Sequence, residues 1–123
     1  MKIFSKVILL SVFILSFLSA CEKDYYQTKV VITDSVSFSV DIVPLLESEC
    51  AISGCHVTGL VAPDLTPANS YDQLTLLGYV DTTNAEESIL YKRIIKDMPP
   101  SGLMTQEEIA YVLAWIEQGA QNN

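Results

Sequence analysis

The chain has 123 residues, half of them hydrophobic, with 15 acidic side chains against 7 basic ones and a single His. A net charge of −8 excludes a basic, phosphate-gripping surface and with it nucleic acid as a partner. The length supports one small domain and its core, and leaves no room for two.

Lys2 and Lys6 open a basic start, and Val7 to Leu18 form an apolar run too short to span a bilayer. Together they predict a cleaved secretory leader over residues 1–20. Its end, Leu18-Ser19-Ala20-Cys21, resembles the lipobox of bacterial lipoproteins, in which the Cys takes diacylglycerol and becomes the new N-terminus. That resemblance implies a lipidated Cys21 and a protein held on a membrane by acyl chains. The place it implies is the bacterial cell envelope, on the inner or outer membrane, facing the periplasm or the surface. Loss of the leader leaves 103 residues and, because two bases and no acids go with it, deepens the net charge to −10. Such acidity keeps a tethered protein soluble and also steers basic partner surfaces toward it.

Residues 21–37 are polar with a few β-branched positions and no helical period, as a flexible linker requires. From Phe38 the period turns helical: Val40, Val43, Leu46 and Cys50 recur at three or four residues, with Ser39 or Asp41 as N-cap and Pro44 in the first turn. This helix delivers Cys50 at its C-terminal end. Residues 57–69, broken by Gly59, Pro63 and Pro67, hold no regular element. A short helix capped by Ser70 runs through Leu77 to Gly78, and another runs from about Ala85 to Ile95 before Met98-Pro99-Pro100 stops it. The last helix carries a Thr105/Glu108 capping box, an apolar face of Ile109, Val112, Leu113 and Ile116, and Gly119 as its stop. Tyr111 and Trp115, four apart, read as core packing. No strand alternation, repeat or Gly-rich phosphate loop is present, so the domain expected over 38–123 is all-α.

The chemistry concentrates in Cys50-Ala51-Ile52-Ser53-Gly54-Cys55-His56. Two thiols followed directly by an imidazole form the attachment motif of a c-type haem, in which the thiols add to the vinyl groups and the His becomes an axial iron ligand. The usual spacer has two residues, and this one has four. In a helix, Cα atoms three apart lie roughly 5 Å from each other and five apart roughly 9 Å, so residues 51–54 must bulge outward, which Ser53-Gly54 permits. A disulfide between Cys50 and Cys55 is the other fate open to two thiols in an oxidising compartment. A second axial ligand has to be Met98 or Met104, because there is no second His and Met1 leaves with the leader.

These segments fall in a familiar order: D-I-x-P at Asp41 to Pro44, C-x4-C-H at Cys50 to His56, Y-D-x-L at Tyr71 to Leu74, S-x-L-Y-x-R-I at Ser88 to Ile94, M-P-P at Met98 to Pro100, and W-I-x-x-G-A at Trp115 to Ala120. From Phe38 to Ala120 the chain resembles the small bacterial cytochrome c domains of planctomycete-type and Bacteroidota lipoproteins. The resemblance implies a class I cytochrome c-like fold of about four short helices, with the N- and C-terminal helices packed around a haem pocket. It implies haem c as cofactor, its iron held by His56 and Met98, with Met104 the fallback.

The function expected is that of a membrane-anchored monohaem electron carrier between a donor and an acceptor redox protein, with no small-molecule substrate and no enzymatic activity. The alternative is a haem-free structural or binding lipoprotein with a Cys50-Cys55 disulfide. Arg93, the only Arg, reads as a solvated helix charge. The paired acids Glu86-Glu87 and Glu107-Glu108 read as helix N-terminal charges opposing the dipole rather than as a catalytic dyad.

Overall fold

The computed structural model describes residues 30–100, 102 and 104–123. The leader, Cys21 and the first part of the linker lie outside the described residues. Among those described there are helices and no strands, the all-α architecture expected.

The chain enters the fold before Phe38. Val36 is buried, its N–H donates to Gln118 Oε1, and Gln118 Nε2 donates to the Asp34 carbonyl. Residues 34–37, expected within the linker, are therefore tied to the domain. The first helix begins as a π turn, Phe38–Ile42, and continues as α1, Val43–Glu49, with Pro44 in its first turn. The wider turn moves the buried stripe off the predicted one: Phe38, Ile42, Leu46 and Cys50 face the core, while Val40 is exposed. The cap also moves. Ser37 Oγ accepts from the Val40 N–H, and Asp41 returns the favour by accepting from the Ser37 N–H at 2.7 Å.

The second helix, α2, spans Ser70–Leu76, and Gly78 follows with φ +75°. Ser70 is the first helical residue rather than the cap. Asn69 holds the cap position, and its side chain is engaged with Asp64 and Thr66. The helix expected over 85–95 is two pieces, a 3-10 turn at Ala85–Glu87 and α3 at Ile89–Ile94. Buried Ser88 divides them, its Oγ accepting from the Asp81 N–H and donating to the Asp81 carbonyl. The last helix, α4, spans Gln106–Glu117 with both halves of the Thr105/Glu108 capping box formed.

Helix α4 is the centre of the core. Trp115 and Ile116 are almost wholly buried, and the Phe38 ring lies 5.0 Å from Trp115 and 5.2 Å from Tyr71 by centroids. Buried polar ends are satisfied by the chain just beyond the helix, since Trp115 Nε1 donates to the Gln121 carbonyl and Tyr71 Oη to that of Ala120. The last residue closes the fold: the Ser39 N–H and the Ser37 and Ser39 hydroxyls all donate to the Asn123 carbonyl, and the Phe38 N–H to Asn123 Oδ1. No described helix is long and apolar enough to cross a membrane.

Candidate haem site

Beside this core lies a cavity of about 440 Å³, within the roughly 300–1,000 Å³ range of pockets that enclose a small organic ligand. It collects residues from all of the first three α-helices and from the loops between and after them. Cys50 comes from the end of α1, Cys55 and His56 from the loop after it, Pro63 and Leu65 from the irregular stretch, Leu74 from α2, Ile89, Leu90, Arg93 and Ile94 from α3, and Met98 to Pro100 from the stop after α3. Leu74, Leu90 and Ile94 supply buried apolar wall. Four of the residues singled out from sequence, Cys50, Cys55, His56 and Met98, therefore share one cavity although 48 positions separate the first from the last.

The four-residue spacer is taken up as a closed loop. Ala51 N–H bonds back to the Leu46 carbonyl, Ile52 to Gly54 are exposed, and the His56 N–H returns to the Cys50 carbonyl at 3.1 Å. Gly54 sits at φ +89°, where a side chain would strain the backbone. Closing the loop at Cys50 and His56 keeps both ends of the motif on the wall, with Ile52 and Gly54 of the bulge at its exposed rim.

Both cysteines are free thiols, Cys50 buried and Cys55 half-buried. Burial, helped by the neighbouring Glu49 carboxylate and the Cys55 thiol, pushes Cys50 up to about 11, so it is protonated at neutral pH. His56 is half-buried, with Nδ1 3.1 Å from the Pro63 carbonyl oxygen. A carbonyl only accepts, so Nδ1 is the donor of this bond, and Nε2 is the ring nitrogen left to meet a ligand, as where a backbone carbonyl orients a metal-binding imidazole.

The Pro63 carbonyl is itself braced by the next residue. Asp64 accepts from the Thr58 and Thr66 hydroxyls, each at 2.6 Å, from the Thr66 N–H, and from Asn69 Nδ2. Those donors hold its carboxyl well below the usual carboxylate range. This knot was not read from the sequence, where residues 57–69 show only breakers. Its one visible signal is the spacing of Thr58, Asp64, Thr66 and Asn69, the composition of side-chain-to-backbone turns.

Met104 is buried in the hydrophobic core rather than on the cavity wall. The last helix contributes no wall residue either: α4 packs behind the site, and α1 reaches it only through Glu49 and Cys50, so α3 and the loops take the part expected of the terminal helices. The reason is that α4 spends its apolar surface on Phe38, Ile42 and the 3-10 turn. Arg93, read as a solvated charge, is more than half exposed but also lies on the cavity wall.

Among the described residues no group of three or more His, Cys, Asp or Glu is arranged to hold a bare metal ion. No protein-family model, curated protein or solved structure matches the chain.

Proposed function

We propose that the protein is a membrane-tethered, single-haem cytochrome c with a class I-like fold, which carries one electron at a time between a donor and an acceptor protein. The observation that carries this reading is the convergence of two thiols, a carbonyl-bound imidazole and a thioether on one apolar cavity. The donor set suits a porphyrin better than a bare ion, since a macrocycle supplies four nitrogens and asks the protein only for axial ligands. Haem, when bound, supplies an iron that takes up and gives up a single electron.

The remaining work belongs to the chain. The Cys50 and Cys55 thiols would add across two vinyl groups, each S–H giving a thioether without need of a leaving group. His56 Nε2 and the Met98 sulfur would hold the iron, with Nδ1 kept on the Pro63 carbonyl. A Met/His pair raises the reduction potential relative to two imidazoles. Leu65, Leu74, Leu90 and Ile94 exclude water from the wall. Ile52, Val61 and Ile89, which line the cavity yet are 40–53% exposed, are apolar surface that an occupant would cover. The tether belongs to the same proposal, through the lipid on Cys21.

The test is a haem-stained denaturing gel with a pyridine haemochrome spectrum, on protein made in a bacterium with active cytochrome c maturation. Stain that survives denaturation supports the carrier. An unstained band with Cys50 and Cys55 oxidised to a disulfide overturns it in favour of a haem-free lipoprotein.

A further inference from the structure

The charges around the cavity are not balanced. From Val30 to Tyr91 the chain carries acids and no Lys or Arg, and the described bases that follow, Lys92, Arg93 and Lys96, lie on or just after α3. One carboxylate and one guanidinium line the cavity, those of Glu49 and Arg93. Arg93 is answered by Asp97, its Nη1 donating to Oδ2 at 2.8 Å. Glu49 is not answered: among the described residues no hydrogen bond or ion pair ends on its carboxylate. His56, the other nitrogen base on the wall, gives Nδ1 to the Pro63 carbonyl instead.

Glu49 also stands where electrostatics disfavours it. It is the last residue of α1, at the negative end of the helix dipole, where a carboxylate costs stability and a Lys or Arg would add it. It is half-buried, so water screens it only in part. The next residue is Cys50, a buried thiol of the same wall, which burial first and the Glu49 carboxylate second push up to about 11. A half-buried acid that weakens the end of its own helix, has no cation beside it and adjoins an attachment thiol is a charge placed to act on whatever fills the cavity.

We propose that Glu49 sets the potential of this site: its carboxylate favours the ferric over the ferrous iron and so lowers the reduction potential of the bound haem. The assignment rests on the cytochrome reading above. Ferric iron carries one positive charge more than ferrous, so a fixed carboxylate beside the Cys50 attachment point stabilises the oxidised side of the one-electron couple, the electron given up passing to the acceptor protein. The effect opposes that of the Met/His pair, which raises the potential. Glu49 thus holds the carrier below the potential its axial ligands alone would set.

The experiment compares the parent chain with its E49Q, E49K and E47Q forms, without haem and with it. Glu47 is exposed, off the cavity wall and two residues earlier on the same helix, so E47Q removes an equal charge at a site that should not matter. In the haem-free chain E49Q should raise the melting temperature, because an unanswered carboxylate leaves a helix C-terminus, and should speed maleimide labelling of Cys50 at pH 8 more than E47Q does. In the haem-loaded chain, spectroelectrochemical titration at pH 7 should find the midpoint shifted positive in E49Q, further in the same direction in E49K, and clearly less in E47Q. Either Glu49 variant alone decides the sign, should the other fail to accumulate. Equal midpoint shifts in E49Q and E47Q, or an E49K midpoint at or below that of the parent, overturn the assignment while leaving the cytochrome intact. A lower melting temperature in E49Q makes Glu49 a structural residue and overturns it as well. Absence of covalent haem from the parent is the separate result that overturns the cytochrome reading and this assignment with it.

Discussion

His56 Nδ1 and the Pro63 carbonyl oxygen lie 3.1 Å apart, a bond between a loop-borne imidazole and a backbone group seven residues on. It makes Nδ1 a donor, aims the ring, and makes the irregular stretch after the cysteines part of the site. Because the Leu65 N–H also returns to the His56 carbonyl at 2.8 Å, ring and backbone of the same residue are both clamped to that stretch.

In the proposed haem-loaded protein, the Asp64 knot should therefore be felt at His56. Asp64→Ala removes the acceptor that gathers Thr58, Thr66 and Asn69. The expected result is retained covalent attachment with weaker His56 ligation, read as a loss of low-spin absorbance at lower denaturant concentration than in the parent. An identical low-spin spectrum and an identical midpoint would show that the knot does not support the ligand.

The same carboxyl predicts the sign of an acid transition. Hydrogen bonds from Thr58 and Thr66 lower Asp64, and those from Thr83 and Asn84 lower Asp81. Both groups bind protons more readily unfolded than folded, so their contribution is complete above the ordinary carboxylate range and is lost as pH falls through their depressed folded values. Asp64→Asn should flatten the dependence of the melting temperature below about pH 4 and leave it unchanged at higher pH, as followed by circular dichroism.

Met98 and Met104 separate cleanly by experiment. On the proposed haem reading, Met98→Ala should keep covalent haem and yield a high-spin or otherwise ligated spectrum, with little change in folding. Met104→Ala, in the core, should cost roughly 2–5 kcal/mol of stability and leave the low-spin spectrum unchanged. The reverse pattern would move the axial sulfur to Met104.

The two thiols should differ before any haem is bound. In the apo chain Cys55 is expected to react first with a maleimide at pH 7, since Cys50 is buried and its thiolate is scarce until pH approaches about 11. Mass spectrometry of partially labelled protein reads the order. After maturation, Cys50→Ser and Cys55→Ser should each leave one thioether, distinguishable in the pyridine haemochrome, and the double variant none.

Trp115→Ala tests the core that backs the cavity. Removing a side chain 1% exposed, together with its contact to Phe38 and its bond to the Gln121 carbonyl, should cost about 3–5 kcal/mol. Haem incorporation should fall with it, because the cavity wall depends on α3, which packs on α4.

The sequence by itself determined what is local. The capping box at Thr105, the apolar face of α4, the stop at Met98-Pro99-Pro100 and the Cys-Cys-His cluster are written in runs of a few residues, where side chains compete for the nearest backbone groups or recur at the period of one helix. That the helix ends at Cys50 and gives way to a loop over residues 51–54 was legible too, since Ser53-Gly54 favours a turn. Tertiary structure decided everything that joins distant segments: the π turn that turned Val40 outward and Ile42 inward, the split at Ser88, the burial of Met104 against the placement of Met98, and the wall built from α3 rather than α4. Each of these depends on which of several apolar or polar groups reaches a partner elsewhere in the chain. Such competition is settled only when α4 has buried Trp115 against Phe38 and the loop from Thr58 to Asn69 has closed on Asp64.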